Sequence, residues 1–164
     1  MTANETRLDR RVAIRTLLEN RGDLLLVTGL GSTTWDAASV ADDDRNFYLW
    51  GAMGAAAMVG LGLAIAQPDR RVLVVTGDGE MLMGLGSLAT IGVQRPPNLA
   101  IAVFDNGHYG ETGMQASHTA DAVALAGSLA PAASRRRLTS PTSAASATSP
   151  PGSIIRRAAS SHAS

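Results

Sequence analysis

Asp78 stands between two glycines, Gly77 and Gly79, and twenty-six residues separate Gly79 from Asn106. A carboxylate and a carboxamide are hard oxygen donors. They suit Mg²⁺ better than a soft metal, and Mg²⁺ commonly completes its octahedron with water and a substrate's phosphate oxygens. The flanking glycines let the backbone come close to a bulky anion, and a helix beginning near Glu80 points its free N–H groups at it. A diphosphate carried on Mg²⁺ is the guest these residue types anticipate.

Two apolar runs must bring the donors together. Residues 72–76 (VLVVT) and 99–104 (LAIAVF) are continuous rather than alternating, with a helix-compatible run and the break Pro96-Pro97 between them. Continuous apolar strands mark a parallel sheet covered on both faces. In a strand–helix–strand unit of such a sheet both carboxyl ends open onto one edge, where ligands bind, so Asp78 and Asn106 are expected to meet. Residues 23–28 (DLLLVT) read as a third buried strand. The following Gly29, Leu30, Gly31, Ser32, Thr33 and Thr34 either line the site or make a tight turn into a helix.

Other segments supply the layers. Leu8, Val12, Ile14, Leu17 and Leu18 form a helical apolar stripe that stops at Asn20-Arg21-Gly22. Residues 46–50 (NFYLW) are strand-like, and residues 51–64, small and apolar, suit a buried helix lying close to a neighbour or a cofactor. Gly60-Leu61-Gly62 and Gly84-Leu85-Gly86 superficially match dinucleotide fingerprints. Neither follows a strand directly with an acidic residue further on, so they read as helix-packing glycines. Three consecutive carboxylates, Asp42, Asp43 and Asp44, point in different directions and read as a solvated loop.

Composition removes several classes. With no cysteine among 164 residues there is no disulfide, thiolate ligand or thiol nucleophile. All 14 cationic side chains are arginine, and the P-loop needs a lysine. Residues 1–120 carry nine arginines against thirteen acids, and residues 121–164 five arginines against Asp121 alone. No aromatic residue interleaves the basic tail, so nucleic acid is not an expected partner. No window approaches the roughly twenty apolar residues of a membrane span, and the charged amphipathic start lacks a signal-peptide core, so a cytoplasmic location is expected.

Gly77-Asp78-Gly79 followed at this spacing by Asn106 resembles the diphosphate-binding motif of thiamine diphosphate-dependent enzymes. Trp50-Gly51-Ala52-Met53-Gly54 resembles the segment that precedes it. The resemblance implies that the Gly51 carbonyl accepts from the aminopyrimidine and that Met53 wedges the cofactor into its bent shape. A plain core methionine is the alternative. It also implies that the His108 carbonyl joins Asp78 and Asn106 as a Mg²⁺ ligand, that Gly79 and Glu80 meet the diphosphate through backbone N–H groups, and that Tyr109 belongs to the same motif.

Within that family the chain is most similar to the β-type subunit of sulfopyruvate and phosphonopyruvate decarboxylases. The landmarks run from Gly29-Leu30-Gly31 to Thr112-Gly113-Met114-Gln115 and span about residues 1–120. Glu80 departs from the pattern, standing where a small residue is common, and Ala52 stands where Ser is frequent. The implied reaction is decarboxylation of a 2-oxo acid, with the cofactor as electron sink; the alternatives are a synthase or oxidoreductase on the same module, or an inactive truncated fragment. The implied partner is an α-type chain with the pyrimidine-binding half, which supplies the activating carboxylate. No catalytic residue is assigned here; Glu111 lies beyond the metal turn, and His108 and His118 are possible contacts to an anionic substrate.

The expected fold is α/β, a mostly parallel sheet with helices on both faces, incomplete at its C-terminus. Residues 1–120 form the cofactor-binding domain. Residues 121–164, rich in Ser, Ala, Pro and Arg, bury too little apolar surface to offset their ordering entropy and are expected to be disordered. Such a tail reads as a non-native ending, as from a shifted reading frame, or as an added targeting or interaction segment.

Overall fold

The computed structural model describes residues 8–128 and the segment Ile154–Arg157. The helix α1 (Arg10–Leu18) begins where the Asp9 carboxylate accepts from the Val12 amide at 3.0 Å, the side-chain cap that leaves fewer orphan N–H groups in the first turn. It buries Ala13, Ile14 and Leu18. Val12, expected on the buried stripe, is 55% exposed. Ala13 is buried instead, in one cluster with Ala37. Asn20 and Gly22, both at positive φ, then turn the chain into β1 (Leu25–Thr28).

The order continues α2 (Ser32–Val40), β2 (Asn46–Tyr48), α3 (Ala56–Ala66), β3 (Val72–Gly77), α4 (Asp78–Met83), α5 (Gly86–Gln94) and β4 (Leu99–Asp105). A small antiparallel pair follows, β5 (His108–Tyr109) with β6 (Gln115–Ala116), then a helical turn α6 (Leu125–Ser128) and β7 (Ile154–Arg157). The main sheet runs β2-β1-β3-β4-β7, every pairing parallel. Thr28 lies opposite Val75, and Gly77 opposite Phe104. The ends of β1, β3 and β4 therefore share one edge.

Side-chain alternation divides the core. Val27, Val72, Val74, Leu99, Ile101 and Val103 pack with Ala56, Leu61 and Ala64 of α3, Met81 of α4 and Leu88 of α5. On the other face Leu26, Leu73, Val75, Ala102 and Phe104 pack with Ile14, Leu18 and Ala37 of α1 and α2. Both faces are covered, as the unbroken apolar strands require. Among the described residues no helix is long and apolar enough to cross a membrane.

Three expectations change. Residues 51–64 are not one helix: Ala52 (φ 50°) and Gly54 (φ 91°) turn the chain, and α3 starts only at Ala56. The run after Gly79 is also broken, at Gly84, where an added Cβ would lie 2.0 Å from the Gly54 carbonyl oxygen. Of the four glycines read as packing glycines, Gly60 and Gly84 behave so, the former because a Cβ would sit 2.1 Å from Val74 Cγ2. Gly62 and Gly86 face nothing within 4 Å. Most of the expected irregular tail lies outside the described residues; where described, it contributes α6 and β7, which lies along β4.

Candidate functional site

A cavity of about 370 Å³ opens at the carboxyl ends of β1, β3 and β4. Gly77, Asp78, Gly79 and Glu80 line it from the β3–α4 turn, and Asn106, His108 and Tyr109 from the segment after β4. Met53 completes the wall from the turn before α3. The structure thus brings together every expected binding residue except Gly51, which lies two residues before Met53 and outside the lining. Leu30, Ser32 and Thr33 enter from the β1–α2 turn, so that turn does both jobs anticipated for it. The Thr33 and Thr34 hydroxyls tie it down on the Gly29 carbonyl, at 3.2 and 2.8 Å.

Asp78 is 2% exposed, and no cationic side chain among the described residues pairs with it. Its Oδ2 accepts from the Ser117 hydroxyl and, at 2.9 Å, from the Thr119 hydroxyl. Thr119 Oγ1 also lies 2.7 Å from Asp105 Oδ1. Among the described residues both side-chain hydrogen bonds of Asp78 fall on Oδ2, which leaves Oδ1 for a ligand. A buried carboxylate oriented by hydroxyls and lacking a counter-charge is an incomplete arrangement, because isolated buried charge is costly. A hard cation would complete it.

The partner donor sits on a tight turn. Gly107 (φ 71°) reverses the chain, Asn106 Oδ1 accepts from the His108 amide at 3.0 Å, and His108 Nδ1 lies 2.9 Å from the Asn106 carbonyl. The Asn106 carboxamide oxygen keeps a second lone pair for a metal. The donor set, Asp78 Oδ1 and Asn106 Oδ1, is all oxygen and fits Mg²⁺. Gly77 leaves room at the cavity wall: a Cβ there would meet nothing nearer than the Phe104 carbonyl at 4.0 Å. Gly79 is different, for its Cβ would fall 2.5 Å from the Tyr109 ring, which lies on the turn as a lid on its backbone.

Glu80 does not face outward. It is 4% exposed, its Oε2 accepts from Thr76 Oγ1 at 2.7 Å and from the Leu30 amide at 3.2 Å, and its Oε1 is buried without a partner. Burial pushes its carboxyl above the usual range, against the pull of Thr76 and of the Leu30, Ala56 and Gly54 amides. Met53, at 39% exposed, is no core methionine.

Several residues at the cavity or behind its wall carry no sequence signal of their role. Ser117 and Thr119 lie 39 and 41 positions from Asp78 and belong to no local motif. Arg10 lines the cavity while paired with Asp36. Glu111 lies at the wall against Gly31, where a Cβ would come 2.7 Å from Glu111 Oε1. His118 is not part of the lining; its carbonyl instead accepts from Ala122 and Val123 in a turn. The Asp42–Asp44 loop is as expected: Arg45 bonds Asp43 and holds its carboxyl well below the usual carboxylate range, and Asp42 accepts from the Tyr48 hydroxyl at 3.0 Å.

A parallel sheet covered on both faces, with oxygen donors and a glycine-bearing turn at its carboxyl edge, defines an α/β domain built to hold a phosphorylated ligand. The chain belongs to the thiamine pyrophosphate enzyme family, whose C-terminal TPP binding domain matches residues 29–139. It is 44% identical over 107 residues to sulfopyruvate decarboxylase subunit beta of Methanocaldococcus jannaschii, covering 65% of this chain and 56% of the relative. It is 48% identical over 101 residues to phosphonopyruvate decarboxylase of Streptomyces viridochromogenes, covering 62% and 25%. The chain thus spans little more than half of the former and a quarter of the latter. The fold matches 2-oxoglutarate:ferredoxin oxidoreductase from Magnetococcus marinus with a TM-score of 0.51 at 23% identity, over 71% of this chain and 42% of that one.

Proposed function

We propose that this chain holds thiamine diphosphate through Mg²⁺ and serves as the β-type part of a 2-oxo acid decarboxylase acting on sulfopyruvate, phosphonopyruvate or a similar small acid. The observation that carries the reading is Asp78, a buried carboxylate with no counter-charge among the described residues, lining the same cavity as Asn106, Gly77 and Gly79. Asp78 and Asn106, with the His108 carbonyl, would hold the metal. The Gly79 and Glu80 amides would meet the diphosphate, and Met53 would support the ring system with the Gly51 carbonyl beside it. When bound, the cofactor supplies the electron sink for loss of CO₂. This chain's share is to bind and orient, and to exclude water with Leu30, Met53 and Tyr109.

The carboxylates at the cavity have other duties. Asp78 is the metal donor, Glu80 turns inward, and Glu111 rests against Gly31. The activating carboxylate is therefore assigned to an α-type partner carrying the pyrimidine-binding half. The exposed Trp35 and Trp50, in edge-to-face contact at 5.3 Å, emerge from segments that line the cavity and offer the partner an apolar rim. The names of the relatives, a subunit beta and a decarboxylase, favour this reading over a synthase or oxidoreductase on the same domain.

The test is a CO₂-release assay on the chain, the partner and the mixture, with thiamine diphosphate and Mg²⁺ throughout, together with titration calorimetry. Turnover is expected only in the mixture. Asp78→Ala and Asn106→Ala should each abolish Mg²⁺-dependent cofactor binding with the circular dichroism spectrum unchanged. Unaltered affinity in both variants would remove the metal assignment, and robust turnover by this chain alone would remove the split site.

A further inference from the structure

We infer that the Thr119 hydroxyl fixes the spacing of the two metal donors, and with it the size of cation the site favours: Thr119 is a positioning residue that acts through Asp78 and Asp105. The inference rests on the cofactor reading proposed above, which assigns Asp78 and Asn106 to the metal and gives Thr119 no part in choosing the ion.

Asp78 opens α4 directly after β3, and Asn106 directly follows β4. Pairing of the two strands sets where those turns begin, but not how far apart their side chains stand. Thr119, 8% exposed, lies between them. Its Oγ1 is 2.9 Å from Asp78 Oδ2 and 2.7 Å from Oδ1 of Asp105, the residue before Asn106. The same Asp105 oxygen accepts from the Gly107 amide at 3.1 Å, so it also holds the turn on which Asn106 sits. A second set of contacts seats the Thr119 segment itself. The Ser117 amide donates to the Gly107 carbonyl at 2.8 Å, and a Cβ on Gly107 would come 3.2 Å from Ala120 Cβ. Residues 117–120 thus grip the Asn106 turn through its backbone and Asp78 through its carboxylate.

The two hydroxyls of this segment have different duties. Ser117 donates to Asp78 and lies 2.8 Å from Thr119 Oγ1, but makes no hydrogen bond to Asp105. Thr119 has a single proton and two carboxylates within reach, so it donates to one while standing between both. Without that hydroxyl the two carboxylates would face an apolar group, and their like charges would drive them apart. Spacing matters to the ion. Mg²⁺ demands near-ideal octahedral oxygens at about 2.0–2.1 Å, whereas Ca²⁺ accepts a looser set at about 2.3–2.6 Å. Donors held at one spacing favour the smaller ion, and donors free to spread lose Mg²⁺ first.

The experiment is a calorimetric titration of the full-length chain with thiamine diphosphate at equal concentrations of Mg²⁺ or of Ca²⁺, alongside Thr119→Val, Thr119→Ser and Ser117→Ala. Thr119→Val keeps the side-chain shape and removes the hydroxyl. It should lose about tenfold or more of the affinity supported by Mg²⁺, and much less of that supported by Ca²⁺. Thr119→Ser should restore the ratio between the two ions. Ser117→Ala should weaken binding with both ions alike and leave the ratio unchanged. Should Thr119→Val lack the circular dichroism spectrum of the unaltered chain, Thr119→Ala supplies the same comparison. Equal losses with the two ions in Thr119→Val, no recovery in Thr119→Ser, or an equally large change of ratio in Ser117→Ala would overturn the inference. Failure of the unaltered chain to bind with either ion would remove the cofactor reading and the inference together. Binding by the unaltered chain with a ratio indifferent to Thr119 would remove the inference alone.

Discussion

Gly79 shows how one residue can serve a purpose beyond the one its motif advertises. A glycine beside Asp78 is expected to let an anion approach the backbone, yet the atoms that approach it in this structure belong to the Tyr109 ring. Tyr109 thereby fixes the turn that presents Asp78. Gly79→Ala should force the ring aside and cost about 1–3 kcal/mol, the usual scale of overpacking. Paired with Tyr109→Ser, which removes the obstacle, the two changes should be non-additive by about 0.5–3 kcal/mol in urea unfolding. Strict additivity would show that ring and glycine do not constrain one another, and would return Gly79 to the simpler role of ligand approach.

At the scale of elements, the strands were legible and the helix boundaries were not, for a physical reason. Residues 72–75 and 99–104 are apolar at every position because both faces of the sheet are covered, and that signal is local. The break at Gly84 and the late start of α3 at Ala56 arise from one tertiary contact between Gly54 and Gly84, which no local pattern encodes. The same limit applied to the site. Asp78 and Asn106 sit in recognisable turns, whereas Ser117 and Thr119 reach Asp78 from a separate turn through space. Gly60 and Gly62, equivalent on paper, differ in the fold. Gly60→Ala should destabilise by about 1–3 kcal/mol through its clash with Val74. Gly62→Ala, on the open face, should stabilise by up to about 1 kcal/mol through helix propensity. Thermal unfolding of the two variants checks the contrast, and equal effects would mean α3 does not press on β3 as described.

Across the whole molecule, both tryptophans of the chain lie in one exposed pair. Large aromatic residues left half in water beside a ligand cavity are the residue types that dominate association energies when a partner covers them. Mixing with an α-type partner should therefore shift the tryptophan emission to shorter wavelength. Trp50→Ser should weaken association by about 2 kcal/mol or more, without altering Mg²⁺-dependent diphosphate binding. A spectrum indifferent to the partner would place the interface elsewhere on the molecule.

The order β2-β1-β3-β4 has a consequence for how the protein comes into being. Leu26 finds its neighbour Leu73 across an intervening helix, a strand and a second helix, so the central pairing cannot form until most of the domain has been made. Pairings of such long range are entropically expensive before they are rewarded, and parallel sheets built on them fold slowly. Asp78 follows β3 and Asn106 follows β4, while Ser117 and Thr119 come later still. The cavity is consequently among the last features to close on the ribosome. Until then the newly made Asp78 carboxylate has neither its hydroxyls nor the Asn106 turn beside it, and a buried charge is left waiting for the surroundings that orient it.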